Sequence, residues 1–462
     1  MYISLKKVLP LKNFAPYKRD LIKKFNYIGF LLFSFLMAGC GSSNDQSFME
    51  IPSGITKGPF SDLKAVNSAG PYSGVIIPCI AATTDQETCT LSKLPLIGQE
   101  KEQPTVDDIM DRVVVSHDWM GQRFREILEK LPPDILTLLK AVTAVVIDND
   151  VRPSYYWITG AIYLDPGHLW LTNEEKATIN KKEDFRIGFG LELPLVPLAR
   201  YVKKNAGGTQ YEKAYEIISL DSSLERNLHD IFYLIAHILY HELAHANDFF
   251  PPGQISQLDS SFLIKNAMDN LQEKRISSHL DKNFQLTSKE LKDLARVLYH
   301  GATASPTQKN YTPVLVGSFF EPDAANDNYN YSNEFEDVAM LFEEVMMKYH
   351  FNIERDVAFA GKNHNQDPTC ETALVAWGTR KRIGEPQVTK RAKFVTDGIL
   401  PKTIPSDFFL NLETPILLQT GKSWCDLDQV GLSPPIERGE PLAKPDLLGN
   451  DQLKHDSFPG VL

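Results

Sequence analysis

The stretch Ile235-Ala-His-Ile-Leu-Tyr-His-Glu-Leu-Ala-His-Ala-Asn-Asp248 constrains this chain more than any other. His241 and His245 stand four residues apart in it. On an α-helix that spacing puts both imidazoles on one face, one turn apart, where they can hold one metal ion. Paired imidazoles suit Zn²⁺. Glu242 is turned by about 100° around the helix, which sets its carboxylate beside the ion rather than on it. Zinc lowers the pKa of a water it binds to roughly 7, and Glu242 is placed to take that proton.

The flanks agree with a helix. Residues 226–249 contain no Pro or Gly, and Leu228, Ile231, Phe232, Leu234, Ile235, Ile238, Leu239, Leu243 and Ala244 make the segment apolar nearly all round. A helix of that kind is buried, and two histidines and a glutamate inside it need polar partners or a metal. Pro251, Pro252 and Gly253 stop it soon after the motif. The plain alternative is a core helix whose histidines are satisfied by protein groups. His237 continues the row of histidines, but three successive turns diverge too far to surround one ion at about 2.1 Å. A packing or supporting role fits it better.

A helix carrying two ligands needs a third from elsewhere. Residues 332–350 offer one on a second amphipathic helix, with Ser332 as a plausible N-cap and Phe335, Val338, Phe342, Val345 and Met346 as its buried stripe. Glu336 borders that stripe, and Glu334 and Glu343 are alternatives. With His241-Glu242-Leu243-Ala244-His245, the run Glu336-Asp-Val-Ala339-Met-Leu-Phe342 resembles the gluzincin metallopeptidases of the toxin lethal-factor kind, whose ligand Glu opens a Glu-x-x-Ala-x-x-Phe pattern. Metzincins carry a third His ten residues after the first, where this chain has Pro251, and the Gly-Thr-x-x-Asp string of aspzincins is not found. The resemblance implies a zincin-like core, zinc held by His241, His245 and Glu336, Glu242 as general base, and a peptide substrate laid along a sheet edge. It also implies a tyrosine that steadies the oxyanion, for which Tyr329 and Tyr331 are the candidates and Tyr329 has the better spacing. Met340 stands where that family often has a second acid, which leaves Asp337 or Asp248 for the supporting role.

The first forty residues describe an export signal. Lys18, Arg19, Lys23 and Lys24 precede an apolar run of about a dozen residues that ends in small ones. Leu36-Met-Ala-Gly-Cys40 resembles the lipobox of bacterial lipoproteins. The resemblance implies cleavage before Cys40, lipidation of its thiol, and a membrane anchor in the cell envelope. Gly41, rather than Asp, at the next position gives no reason for inner-membrane retention, so the outer membrane is expected. Residues 41–47 read as a polar tether, and 48–105 as an irregular arm.

Four cysteines remain, Cys79, Cys89, Cys370 and Cys425. An even number in an exported chain invites disulfides. Pairing Cys79 with Cys89 closes a short loop and pairing Cys370 with Cys425 staples the C-terminal part, although three pairings are open. The net charge of −11 argues against nucleic acid as the main partner.

The fold class expected is α+β, mainly helical, with a small mixed sheet upstream of the metal-binding helix and a core spanning 106–350. Helices are expected over 106–130, from Pro132-Pro133 to Lys140, and over 259–300, where Thr287-Ser-Lys-Glu290 looks like a capping box and Gly301 a stop. Strands are expected at 141–147, 161–164 and 168–171. His168 reads as an ordinary turn histidine. Residues 185–201 are apolar but broken by Gly and Pro. The remainder, 351–462, reads as irregular wrapping. The function expected is lipid-anchored, zinc-dependent hydrolysis of a peptide or protein substrate. A non-catalytic envelope lipoprotein with a structural or lost zinc site, or a cell-wall peptide hydrolase, are the alternatives.

Overall fold

The structure is a computed structural model that describes residues 62–427, apart from 83, 85–86, 150, 182–185 and 363–367. The segments expected to be an export signal, a lipidated Cys40 and a tether lie outside the described residues, as does the sequence after 427. Among the described residues no helix is long and apolar enough to cross a membrane.

The N-terminal part builds a mixed sheet. Strand β1 (Lys64–Ala65) is followed by three short helices, α1 (Ile76–Ile80), α2 (Ile97–Glu100) and α3 (Val106–Met110). Then come β2 (Val113–Val115), α4 (Asp118–Leu128), α5 (Asp134–Leu138), β3 (Val145–Ile147), β4 (Ser154–Tyr156), β5 (Ala161–Leu164) and α6 (Asn173–Lys176). The strand order is β1-β2-β3-β5-β4. β2, β3 and β5 run parallel, aligning Val114 with Val146 and Val146 with Tyr163, while β1 and β4 close the edges antiparallel. Parallel strands need a helical crossover, and α4 and α5 supply it between β2 and β3. The three central strands are wholly buried, which is why they read as unbroken apolar runs rather than as alternation.

Several expectations fail in this region. The described part of 48–105 is not an irregular arm, since it supplies edge strand β1 and helices α1 and α2, and of the strand expected over 141–147 only Val145–Ile147 is one. Residues 106–130 are not one helix, because Val113-Val114-Val115 form a central strand. Three successive β-branched residues favour the pleated conformation over the helix. Residues 168–171 are not a strand: Asp165 accepts from the Gly167 amide and caps a 3₁₀ turn over Pro166–His168.

The second sheet was not foreseen. β6 (Leu195–Lys204) and β7 (Tyr211–Lys213) precede the long helix α7 (Leu228–Phe249). Helices α8 (Ile264–Asp269), α9 (Ile276–Phe284), α10 (Lys289–Tyr299), α11 (Pro313–Phe320) and α12 (Glu334–Phe351) follow. The chain then returns as β8 (Glu354–Gly361) and β9 (Val375–Arg380), with α13 (Pro386–Ile399), α14 (Ser406–Leu410) and β10 (Ile416–Leu417) after them. The order β10-β9-β8-β6-β7 is antiparallel throughout. Residues 351–427 are therefore not irregular wrapping: they supply three strands of this sheet and two helices. Some caps also differ by one residue. Ser288 rather than Thr287 caps α10, and Asn333 rather than Ser332 caps α12. Gly301 does stand after α10 in the left-handed region, at φ 67°, where a Cβ is disfavoured.

α7 and α12 lie in the main apolar core together with the first sheet and α13. A second core packs Leu291, Leu294, Val316 and Phe320 of α10 and α11 against Val357, Phe359 and Trp377 of the second sheet. Gly317 lets α11 approach, since a Cβ there would lie 2.3 Å from the Trp377 ring.

Candidate metal centre

α7 starts where Asn227 caps the His229 amide and Asp230 reaches back to the Asn227 amide, a reciprocal pair that satisfies otherwise orphaned donors. The helix then runs without interruption to Phe249, so His241, Glu242 and His245 sit on its buried last third. α12 crosses it and brings Glu336 to the same place. His241 Nε2 lies 3.3 Å from His245 Nε2 and 3.0 Å from Glu336 Oε2, and His245 Nε2 lies 3.4 Å from that same oxygen. Four ligands around zinc at about 2.1 Å stand about 3.4 Å apart along the edges of a tetrahedron. The three atoms thus have the spacing of one tetrahedral face, and the set is geometrically able to hold a metal ion.

The chemistry of the donors fits as well. His241 Nδ1 is 2.8 Å from Glu343 Oε2. With its proton on that side, the ring turns the lone pair of Nε2 toward the Glu336 carboxylate, and a cation between them removes the repulsion. Without a cation, a proton does the same work. Burial lowers the His241 pKa, yet hydrogen bonds to Glu336 and Glu343 hold it well above the usual histidine value. Burial raises Glu336 and Glu343, but the imidazoles pull the first down to about 2, and His241 with Arg355 pulls the second to about 2.

Glu242 is fully buried. Both its oxygens lack a hydrogen-bond partner of normal geometry, the backbone amide of Tyr155 on β4 being near enough only to temper its pKa. Burial pushes that pKa up to about 7, with His241 and His245 pulling the other way. A carboxyl of that kind can take and return a proton near neutral pH. The antiparallel edge strand β4 therefore lies beside the group the sequence names as base.

The other sequence candidates fall in different places. The Tyr329 hydroxyl donates to Glu336 Oε1 at 3.1 Å, and burial followed by the Glu336 charge raises its pKa well above the usual tyrosine value. Tyr331 donates to Asp323 instead. Glu334 is exposed. Neither acid proposed for the supporting role bonds a motif histidine: Asp337 faces Arg391 and Asn330, and Asp248 accepts from the Ser277 amide. Glu343 takes that role. It stands seven residues after Glu336, two helical turns on, so both carboxylates face α7. His237 packs in a cluster with Tyr201 and Tyr215, its ring centroid 5.4 Å from each and theirs 6.5 Å from one another. Sequence reasoning also missed Tyr201 and Arg355, which donate to Glu343 Oε1 at 2.9 and 2.8 Å. The only hint of Arg355 was the charged triplet Glu354-Arg355-Asp356 at the head of an apolar run.

Both expected disulfides are formed, Cys79–Cys89 and Cys370–Cys425. Glu371 stands close to the second, but its sulfurs are bonded to each other and offer a metal nothing. Compared with models of known families, with curated proteins and with solved structures, the chain has no match.

Proposed function

We propose that this chain is a zinc-dependent peptidase with a zincin-like core, exported and anchored through lipid on Cys40. The observation that carries the reading is the unpartnered Glu242 carboxylate beside a face of three converging ligand atoms. A core helix with satisfied histidines has no use for a buried acid that lacks a hydrogen-bond partner of normal geometry, which costs about 1–3 kcal/mol or more.

His241, His245 and Glu336 would hold the ion. When bound, zinc supplies a Lewis acid for the scissile carbonyl and lowers the pKa of a water toward 7. Glu242 takes the proton from the attacking water and hands it to the leaving amine. Glu343 keeps the Nδ1 proton of His241 in place, so that Nε2 remains the donor atom. Tyr329 holds the second oxygen of Glu336, and its hydroxyl would be the group to steady the oxyanion. The substrate backbone would add to the free edge of β4, beside Glu242.

The decisive experiment measures zinc content and cleavage of an unfolded protein substrate together. Glu242→Gln is expected to keep about one zinc per chain and to lose hydrolysis by several orders of magnitude, and His241→Ala to lose both. Cleavage by Glu242→Gln at the parental rate would refute the mechanism. One observation favours a second reading, a closed structural metal site: Glu242 and Glu336 have no exposed surface, and His245 has only 1%. That reading expects bound zinc and no cleavage by the parent itself.

A further inference from the structure

Cross-strand partners of the second sheet grip the metal centre from behind. Tyr201 on β6 and Arg355 on β8 stand directly opposite each other in the antiparallel register. Their side chains converge on one atom, Oε1 of Glu343, while Oε2 of that carboxylate holds His241 Nδ1. The Arg355 guanidinium lies 4.8 Å over the Tyr201 ring, and His237 also packs against that ring, with centroids 5.4 Å apart. Nε of the same guanidinium donates to Asp327 Oδ2 at 2.9 Å, and Nη2 lies 2.8 Å from that oxygen as an ion pair without hydrogen-bond geometry. Asp327 Oδ1 accepts from the Tyr329 amide and caps the 3₁₀ turn Asn328–Tyr331. That turn carries the hydroxyl that bonds Glu336 Oε1.

We propose that Arg355 is a positioning residue of the metal centre, fixing His241 through Glu343 and Glu336 through Asp327 and the Tyr329 turn. The inference rests on the metal site proposed above and adds to it a residue that touches neither ion nor substrate. Only a planar fork of donors can bridge two carboxylates at fixed separation. An ammonium supplies the charge without the geometry. Tyr201 seats the same Glu343 oxygen from the neighbouring strand. The second sheet is thereby part of the site: a shift of β8 against α12 moves both the imidazole and the carboxylate ligand. Acceptors one bond removed from a metal typically govern affinity by 10–100-fold.

The test is Zn²⁺ affinity of the full chain by competition with a chromophoric chelator, with the visible spectrum of the Co²⁺-loaded protein as a report on ligand geometry. Arg355→Gln is expected to weaken Zn²⁺ about 10–100-fold and to alter the Co²⁺ spectrum. Arg355→Lys should recover stability but little affinity. Arg380→Gln is the control, since Arg380 is equally buried in the same sheet but binds Asp356. It should melt lower yet bind Zn²⁺ as the parent does. If Arg355→Gln does not fold, Tyr201→Phe, which removes one hydroxyl, carries the test with an expected several-fold loss. Parental affinity in Arg355→Gln or in Tyr201→Phe, or an equal loss in Arg380→Gln, overturns the proposal. A parent that takes up no Zn²⁺ overturns the metal reading itself, and that result comes from a different sample.

Discussion

His237 stands one turn before His241, but its surroundings are those of a packed ring. It stacks on Tyr215 with the planes 4° apart and meets Tyr201, which adjoins Tyr215, at a tilt of 51°. Burial pushes its pKa from 6.5 down to about 3. The folded value lies below the unfolded one, so the unfolded chain takes up the proton first. The neutral ring's contribution to stability is complete above about pH 6.5 and is lost as the pH falls toward 3. Each pH unit crossed costs up to about 1.4 kcal/mol. His237→Phe keeps an aromatic ring in the slot and removes the titration. Urea midpoints of the metal-free protein should therefore fall less steeply with acid in the variant than in the parent, and parallel profiles would refute this account. Single residues were legible in the sequence where the chemistry is local. The spacing of His241, Glu242 and His245 is a property of one helix, and Glu336 was reached through a pattern on another. Glu343 was weighed only as an alternative ligand. Its contact with Nδ1 rather than Nε2 depends on how two helices cross, which no local pattern encodes.

At the scale of elements, the crossing of α7 over α12 sets the distance between the imidazoles and Glu336. Ala244 and Ala339 are fully buried in the shared core, and small side chains let helices approach. Ala339→Leu would push the helices apart, at a cost of about 1–3 kcal/mol, and should lower zinc affinity together with the melting temperature. A variant that loses stability but binds zinc as tightly as the parent would show that the crossing does not set the site. The long helix was readable to within two residues at its start, because its apolar pattern and the prolines after it agree, although its cap at Asn227 was not read. The second sheet was not readable. Pro197 lies inside β6, and proline in a run argues against a strand. The structure shows why it is tolerated: β7 pairs only with Val202–Lys204, so Pro197 sits where β6 is an edge. β8 was hidden in turn because it opens with three charges, each with a buried partner, such as Asp356 between Arg200 and Arg380.

At the scale of the molecule, the two disulfides close loops of very different length and brace different parts. Cys79–Cys89 spans 10 residues and ties α1 to the turn whose Cys89 carbonyl accepts from the Ile264 amide. Cys370–Cys425 spans 55 residues and holds the segment 424–427 against the second sheet, where the Trp424 and Asp426 carbonyls accept from Arg200 and the Leu427 carbonyl accepts from Arg380. Loop closure in the unfolded chain costs more entropy for the longer loop, so opening the two is expected to cost about 3 and about 4 kcal/mol respectively. Cys370→Ser with Cys425→Ser should therefore lower the melting temperature more than Cys79→Ser with Cys89→Ser. It should also loosen Arg200 and Arg380, whose charges would be left with Asp356 alone. Neither cross-link touches His241, His245 or Glu336, so both double variants should bind zinc like the parent at temperatures where they remain folded. A larger loss of stability from the short loop would mean that native contacts around α1, rather than chain entropy, set the effect. A loss of zinc binding confined to the Cys370/Cys425 variant would instead mean that the segment around Cys425 holds β8, and through it Arg355, in register with the metal centre.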